Sequence, residues 1–112
     1  PWSFKLGYDE RRHLKRVLVA FSEFPLHVEV RHTSWNHTGF RDYLAGRGVG
    51  LVNIDQPIFE NSIEPAEEFT SSIAYLRLHG RNADNWFRAE ATRDERYDYS
   101  YSKAELIPWV ER

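Results

Sequence analysis

The sequence predicts an α/β domain built on three consecutive parallel strands with flanking helices. Three observations carry that prediction. Apolar and charged residues alternate in Val28-Glu29-Val30-Arg31-His32, Leu51-Val52-Asn53-Ile54-Asp55 and Tyr75-Leu76-Arg77-Leu78-His79. Successive side chains of a strand point to opposite faces, so each run reads as a strand with two unlike sides. Helical spacing precedes the first run and separates it from the second, and this helix, strand, helix, strand order is the grammar of a parallel sheet. The chain has 112 residues, 41% hydrophobic and 29% charged, enough for a modest core in one domain or part of one.

Each element has its own signals. Residues 9–22 form an amphipathic helix, with Asp9 as cap and Leu14, Val17, Leu18 and Phe21 on one side. Arg11, Arg12, Lys15 and Arg16 fall elsewhere on it, a solvated face in preference to a phosphate site. Pro25 precedes strand one, residues 27–31. Ser34 or Asn36 caps the next helix, residues 36–47, whose apolar side is Phe40, Tyr43 and Leu44. Gly46 and Gly48 stop it before strand two, residues 49–55. Pro57 and Pro65 punctuate the crossover, where Pro65 to Phe69 suits a turn or two of helix. Strand three spans 73–79, and Gly80 permits a sharp exit. Residues 81–96 read as a long polar loop carrying Trp86 and Phe87. Tyr97, Tyr99 and Tyr101 alternate as in an extended segment. Ser102 and Glu105 match a capping box for a final helix, with Pro108 inside it.

Composition narrows the function classes. Net charge is −2, which gives no overall pull toward nucleic acid. The absence of cysteine rules out disulfides, thiolate metal sites and a cysteine nucleophile. No metal site is expected, because neither an HExxH pattern nor a clustered histidine pair is present. Dinucleotide, Walker and nucleophile-elbow motifs are also missing, so no cofactor is named. No apolar run approaches the roughly 20 residues of a membrane helix, and no signal peptide is seen. The expected location is cytoplasmic. The chain opens on Pro1 and has no Met, so it is read as a piece of a longer one, a single partial domain over 1–112.

The charged sides of the three strands are the main functional clue. One face is expected to carry Val28, Val30, Val52, Ile54, Leu76 and Leu78 beneath helices. The other carries Glu29, Arg31, Asn53, Asp55, Arg77 and His79, converging at the carboxyl ends of the strands, where ligands of α/β folds bind. Charges buried there must pair, bind a ligand or line a solvated mouth. Glu29 with Arg31 and Asp55 with Arg77 are natural pairs, and an internal salt-bridge network is the plain alternative to a site. Arg31 and Arg77 offer rigid donor forks for carboxylate or phosphate. His79 is a candidate general acid or base, a ligand, or a hydrogen-bonded rim residue; Glu29 and Asp55 are the other catalytic candidates. Asn53, Trp35 and Tyr99 join the arginines as candidate ligand contacts, although packing is the commoner role for Trp35.

These runs also carry a family resemblance. Glu29-Val30-Arg31-His32 with Ser34-Trp35, then Tyr75 through Arg81, then Tyr97 through Ser102 with Glu105-Leu106, and the opening Pro1-Trp2-Ser3-Phe4, together resemble the YecE-like family, also called domain of unknown function 72. The resemblance spans nearly the whole chain. It implies a partial (β/α)8 TIM-type barrel, of which this chain holds a middle portion, and it brings no established activity. A barrel would set its site at the carboxyl face of the strands, with 56–72 and 81–96 as top-face loops.

Three functions follow in order of preference. The first is binding or transforming a small polar or anionic molecule at that face. The second is a non-catalytic ligand- or protein-binding module using Trp86 and Phe87, its partner unknown. The third, disfavoured by net charge, is a phosphodiester- or nucleic-acid-acting barrel. A partial barrel is further expected to expose inner face and strand edges, and so to be marginal or self-associating.

Overall fold

The computed structural model describes residues 1–111. Helix α1 (Tyr8–Ala20) leads to strand β1 (His27–Val28), a 3-10 turn (Thr33–Trp35), helix α2 (Thr38–Ala45), strand β2 (Gly50–Asp55) and strand β3 (Tyr75–Leu78). Helices α3 (Ala83–Trp86), α4 (Arg93–Tyr97) and α5 (Lys103–Glu111) follow. The strands form one parallel sheet in the order β1-β2-β3.

Helix starts depart from expectation in an instructive way. Gly7, not Asp9, caps α1, and Asp9 and Glu10 sit in the first turn, where carboxylates complement the open N–H groups. Neither Ser34 nor Asn36 caps α2. His37 does so, its Nδ1 accepting the Phe40 N–H at 3.2 Å. His32 likewise receives the Ser34 N–H at 3.1 Å. An imidazole lone pair here does the work expected of a hydroxyl or amide oxygen. The Ser34 hydroxyl instead accepts the Leu6 N–H at 2.8 Å, tying down the N-terminal segment.

Pro65 to Phe69 is not helical. The Asn53 amide bonds the backbone of Glu68 in both directions, each at 3.0 Å. The Thr70 hydroxyl bridges the Leu51 N–H and the Val49 carbonyl, each at 2.7 Å. These tertiary bonds hold the segment against β2 and replace the local helix. The expected 81–96 loop instead folds into α3 and α4, the latter opened by a Thr92–Glu95 capping box. Trp86 is buried there and Phe87 is exposed. Tyr97 belongs to α4, which leaves only Tyr99 and Tyr101 in the irregular stretch before α5. The Ser102–Glu105 capping box forms, and α5 continues past Pro108.

The core lies between the sheet and α1–α2. Leu14 and Leu18 of α1 and Phe40 and Leu44 of α2 meet Val30, Trp35, Val49 and Leu51. Strand register decides which β2 residues face this core. Val28 pairs with Leu51, Ile54 with Arg77 and Asp55 with Leu78, and ladder partners share a face. The core face of β2 therefore holds Leu51, Asn53 and Asp55. Val52 and Ile54 lie on the side of Glu29, Arg31, Arg77 and His79. This corrects the expected placement of four β2 residues by one position. Val49 and Leu51 at one parity and Val52 and Ile54 at the other are all apolar, so alternation inside β2 does not choose a face; pairing with its neighbours does. Leu76 and Leu78, expected beneath helices, are exposed.

Candidate functional site

Glu29 lies one residue beyond β1 and gathers three side chains. Its Oε1 accepts from Arg31 Nε at 2.7 Å and lies 3.2 Å from His79 Nε2. Its Oε2 accepts from Arg77 Nη1 at 2.6 Å. Arg77 and His79 come from the β3 edge, so the ion pairs span the sheet over the apolar β2 side chains Val52 and Ile54. Neighbouring strands sit about 4.8 Å apart, and only long side chains cover two such steps. Burial pushes the Glu29 carboxyl up, but hydrogen bonds from His79 and Arg31, with their charges, outweigh it and hold it at about 2. A carboxyl at that value is a weak proton acceptor, so Glu29 supplies charge and orientation.

His79 is 6% exposed, packed beside Trp86 and Tyr97. Its Nε2 faces both Glu29 and, at 3.3 Å, Arg31 Nη2. With a proton, Nε2 donates to the carboxylate; without one, it accepts from the guanidinium. Nδ1 makes no hydrogen bond among the described residues. Arg77 is the open member, its side chain 46% exposed. It borders an open pocket of about 430 Å³ with His79, Tyr97, Tyr99 and Tyr101.

Asp55 belongs to a second, separate cluster. Its side chain is 1% exposed. Oδ1 accepts from Arg81 Nε and from the Tyr101 hydroxyl, both at 2.8 Å, and Oδ2 accepts from Arg81 Nη2 at 2.6 Å and Trp109 Nε1 at 3.0 Å. Four donors occupy the acceptor positions of one carboxylate. Burial raises its pKa, but the bonds from Arg81, Tyr101 and Trp109 prevail and depress it. The expected Asp55–Arg77 pair is thus replaced by Asp55–Arg81. Gly80 makes this possible: at φ +84 it turns the chain out of β3, so Arg81 escapes the strand's alternation. A Cβ there would stand 2.7 Å from Tyr99 Cβ. The Tyr101 hydroxyl also accepts the Gly80 N–H at 2.9 Å.

The remaining candidates divide. Asn53 is spent on the Glu68 backbone, away from the Glu29 cluster. Trp35 is a core residue, stacked on Phe4 with Nε1 donating to the Phe4 carbonyl at 2.8 Å. Tyr99 lines the pocket, and its hydroxyl donates to Glu105. Arg81, Tyr101 and Trp109 escaped sequence reasoning because their partner lies 26 to 54 residues away. The Gly80–Arg81 step was the one local hint. Gln56, also missed, is buried and donates to the Arg31 carbonyl at 3.3 Å. Among the described residues no group of His, Asp and Glu is placed to hold a metal ion, and no helix is long and apolar enough to cross a membrane.

The family model "Protein of unknown function DUF72" matches residues 1–112. A DUF72 family protein from Thermotoga maritima MSB8 is 35% identical, with a TM-score of 0.89 over 99% of this chain and 41% of that one. A DUF72 family protein from Enterococcus faecalis V583 is 24% identical, with a TM-score of 0.84 over 99% of this chain and 43% of that one. No curated protein matches. The chain belongs to the DUF72 family, and it spans less than half the length of the solved relatives it matches.

Proposed function

We propose that this chain recognises a small polar anion at the carboxyl ends of its strands, as part of a (β/α)8-type barrel. One observation carries the reading: two guanidiniums and an imidazole share the single Glu29 carboxylate, so the cluster holds surplus positive charge beside a tyrosine-lined pocket. Arg31 and Glu29 hold the cluster in place. Arg77 presents unused donors toward the pocket; the Tyr99 and Tyr101 hydroxyls that line it donate to Glu105 and Asp55. His79 is the group suited to moving a proton if the bound molecule reacts. The barrel is supported by the parallel strand order, the charged side opposite the helices, and the greater length of the solved relatives.

Titration of the protein with phosphate, sulfate and malonate, followed by calorimetry, tests this. Saturable binding of one of them that weakens by at least about tenfold in Arg77→Ala is expected. Equal affinity in Arg77→Ala would remove the site. A second reading, a protein-docking surface, rests on exposed Phe87, whose ring packs against Trp2 and Phe59 at 5.3 and 4.8 Å. Phe87→Ala would abolish partner capture on that reading and leave anion binding intact.

A further inference from the structure

A groove of about 550 Å³ runs between α1 and α2, on the helical side of the sheet and away from the Glu29 cluster. Its apolar surface is made by Leu14, Trp35, Phe40 and the ring of Tyr43. Its α1 wall carries Arg11, Arg12 and Lys15, one helical stripe, and no carboxylate lines it. Arg11 uses its Nε on the Gly7 carbonyl at 3.3 Å, whereas Arg12 and Lys15 form no ion pair among the described residues. Arg47 lies over the Tyr43 ring, 4.7 Å from its centre, adding positive charge behind the aromatic wall. The Tyr43 hydroxyl is buried without a hydrogen-bond partner among the described residues.

A solvated basic face would set its cations against water or carboxylates. Here they share with Trp35, Phe40 and Tyr43 the lining of a space of ligand size. We propose that the α1–α2 groove is a binding site for a small amphipathic anion: a flat apolar body seated on Trp35, Phe40 and Tyr43, with a carboxylate or phosphate held by Arg12 and Lys15. The apolar body removes ring surface from water, and the charged end meets unpaired cations instead of each cation meeting only solvent. Its volume of about 550 Å³ is that of a small-molecule site.

Gly39 supplies a clean blocking variant. It lines the groove on α2, and a Cβ there meets only the His37 ring at an ordinary 3.5 Å. Naphthoate, with neutral naphthamide as its partner, is the probe, read by calorimetry and by chemical-shift changes in the intact protein. Naphthoate is expected to saturate one site that weakens with added salt, and to lose at least about tenfold in affinity in the Arg12→Ala, Lys15→Ala double variant. Gly39→Leu should abolish binding while Gly39→Ala retains it, with both variants folded by circular dichroism. Arg77→Ala should leave naphthoate affinity unchanged, which separates this site from the anion site at the strand ends. Equal affinity for naphthamide, full affinity in the double variant, or no saturable binding at all would overturn the proposal. So would an acidic amphipathic peptide that occupies the groove and that naphthoate fails to displace.

Discussion

Two carboxylates at the ends of neighbouring strands, Glu29 and Asp55, are both nearly removed from water and both held ionised. Their surroundings differ in sign and in saturation. Around Glu29 stand two guanidiniums against one carboxylate. Around Asp55, one guanidinium faces two carboxylates, because Arg81 also reaches Glu105 at 3.5 Å. Every acceptor position of Asp55 is taken by a donor from the segment 81–109, so the cluster fastens that segment over β2. The Glu29 cluster keeps unused donors and opens on a pocket. On the proposed function, saturation marks the scaffold and surplus charge the site, and residue type alone distinguishes neither.

The largest effect should come from breaking the saturated cluster. Asp55→Ala leaves Arg81, Tyr101 and Trp109 without their acceptor; with Arg81 partly screened by water, urea unfolding should show a loss of about 3 kcal/mol. A loss under half of that would mean the segment 81–109 is held by something else. Acid should next distinguish the two carboxylates. The Glu29 pKa is about 2 when folded, below its ordinary 4.5, so at low pH the unfolded chain binds the extra proton. The stabilisation is complete above 4.5 and fades as pH falls toward 2. It amounts to about 3 kcal/mol, and Glu29→Gln should flatten that part of the urea-midpoint profile. Asp55 acts in the same direction below its ordinary 3.8 and should remain visible in the Glu29→Gln background. An unaltered acid profile in Glu29→Gln would contradict the ion-pair cluster.

Smaller effects sharpen the contrast. Gly80→Ala meets a left-handed backbone and the Tyr99 Cβ, and should cost about 2 kcal/mol by thermal or urea unfolding. It should also loosen the Asp55–Arg81 pair without altering the Glu29 cluster. Arg77→Ala removes a half-exposed guanidinium and should change stability by less than about 1 kcal/mol, while anion binding is lost. A large stability loss there, with anion binding preserved, would exchange the roles assigned to the two regions.

Much of the fold is legible in local pattern. Helical spacing around Leu14 and Leu18 and around Phe40 and Leu44 locates α1 and α2, and the Ser102–Glu105 box locates α5. The three alternating runs locate the strands, although β1 spans only His27–Val28 rather than 27–31, and Glu29, Arg31, Arg77 and His79 come to one side. Asn53 and Asp55 were misplaced because β2 is apolar at both parities. The imidazole caps at His32 and His37 were missed because they resemble the commoner hydroxyl caps in position but not in residue type. The pairing of Asn53 with Glu68, and of Asp55 with Arg81, Tyr101 and Trp109, joins residues far apart in the chain, with no local trace.

By itself the sequence determined α1, α2, α5 and the three strand runs, because those choices rest on periodicities of a few residues; α3 and α4, and the absence of helix at Pro65 to Phe69, it did not. It also determined that Glu29, Arg31, Arg77 and His79 would meet at strand ends, since alternation puts like-numbered neighbours of one run on a common side. Only the tertiary structure decided which acid sits among the arginines and which is locked beneath the closing segment. A one-residue shift in pairing exchanges the two faces of a strand, and that shift is set by the neighbouring strands, not by β2 alone.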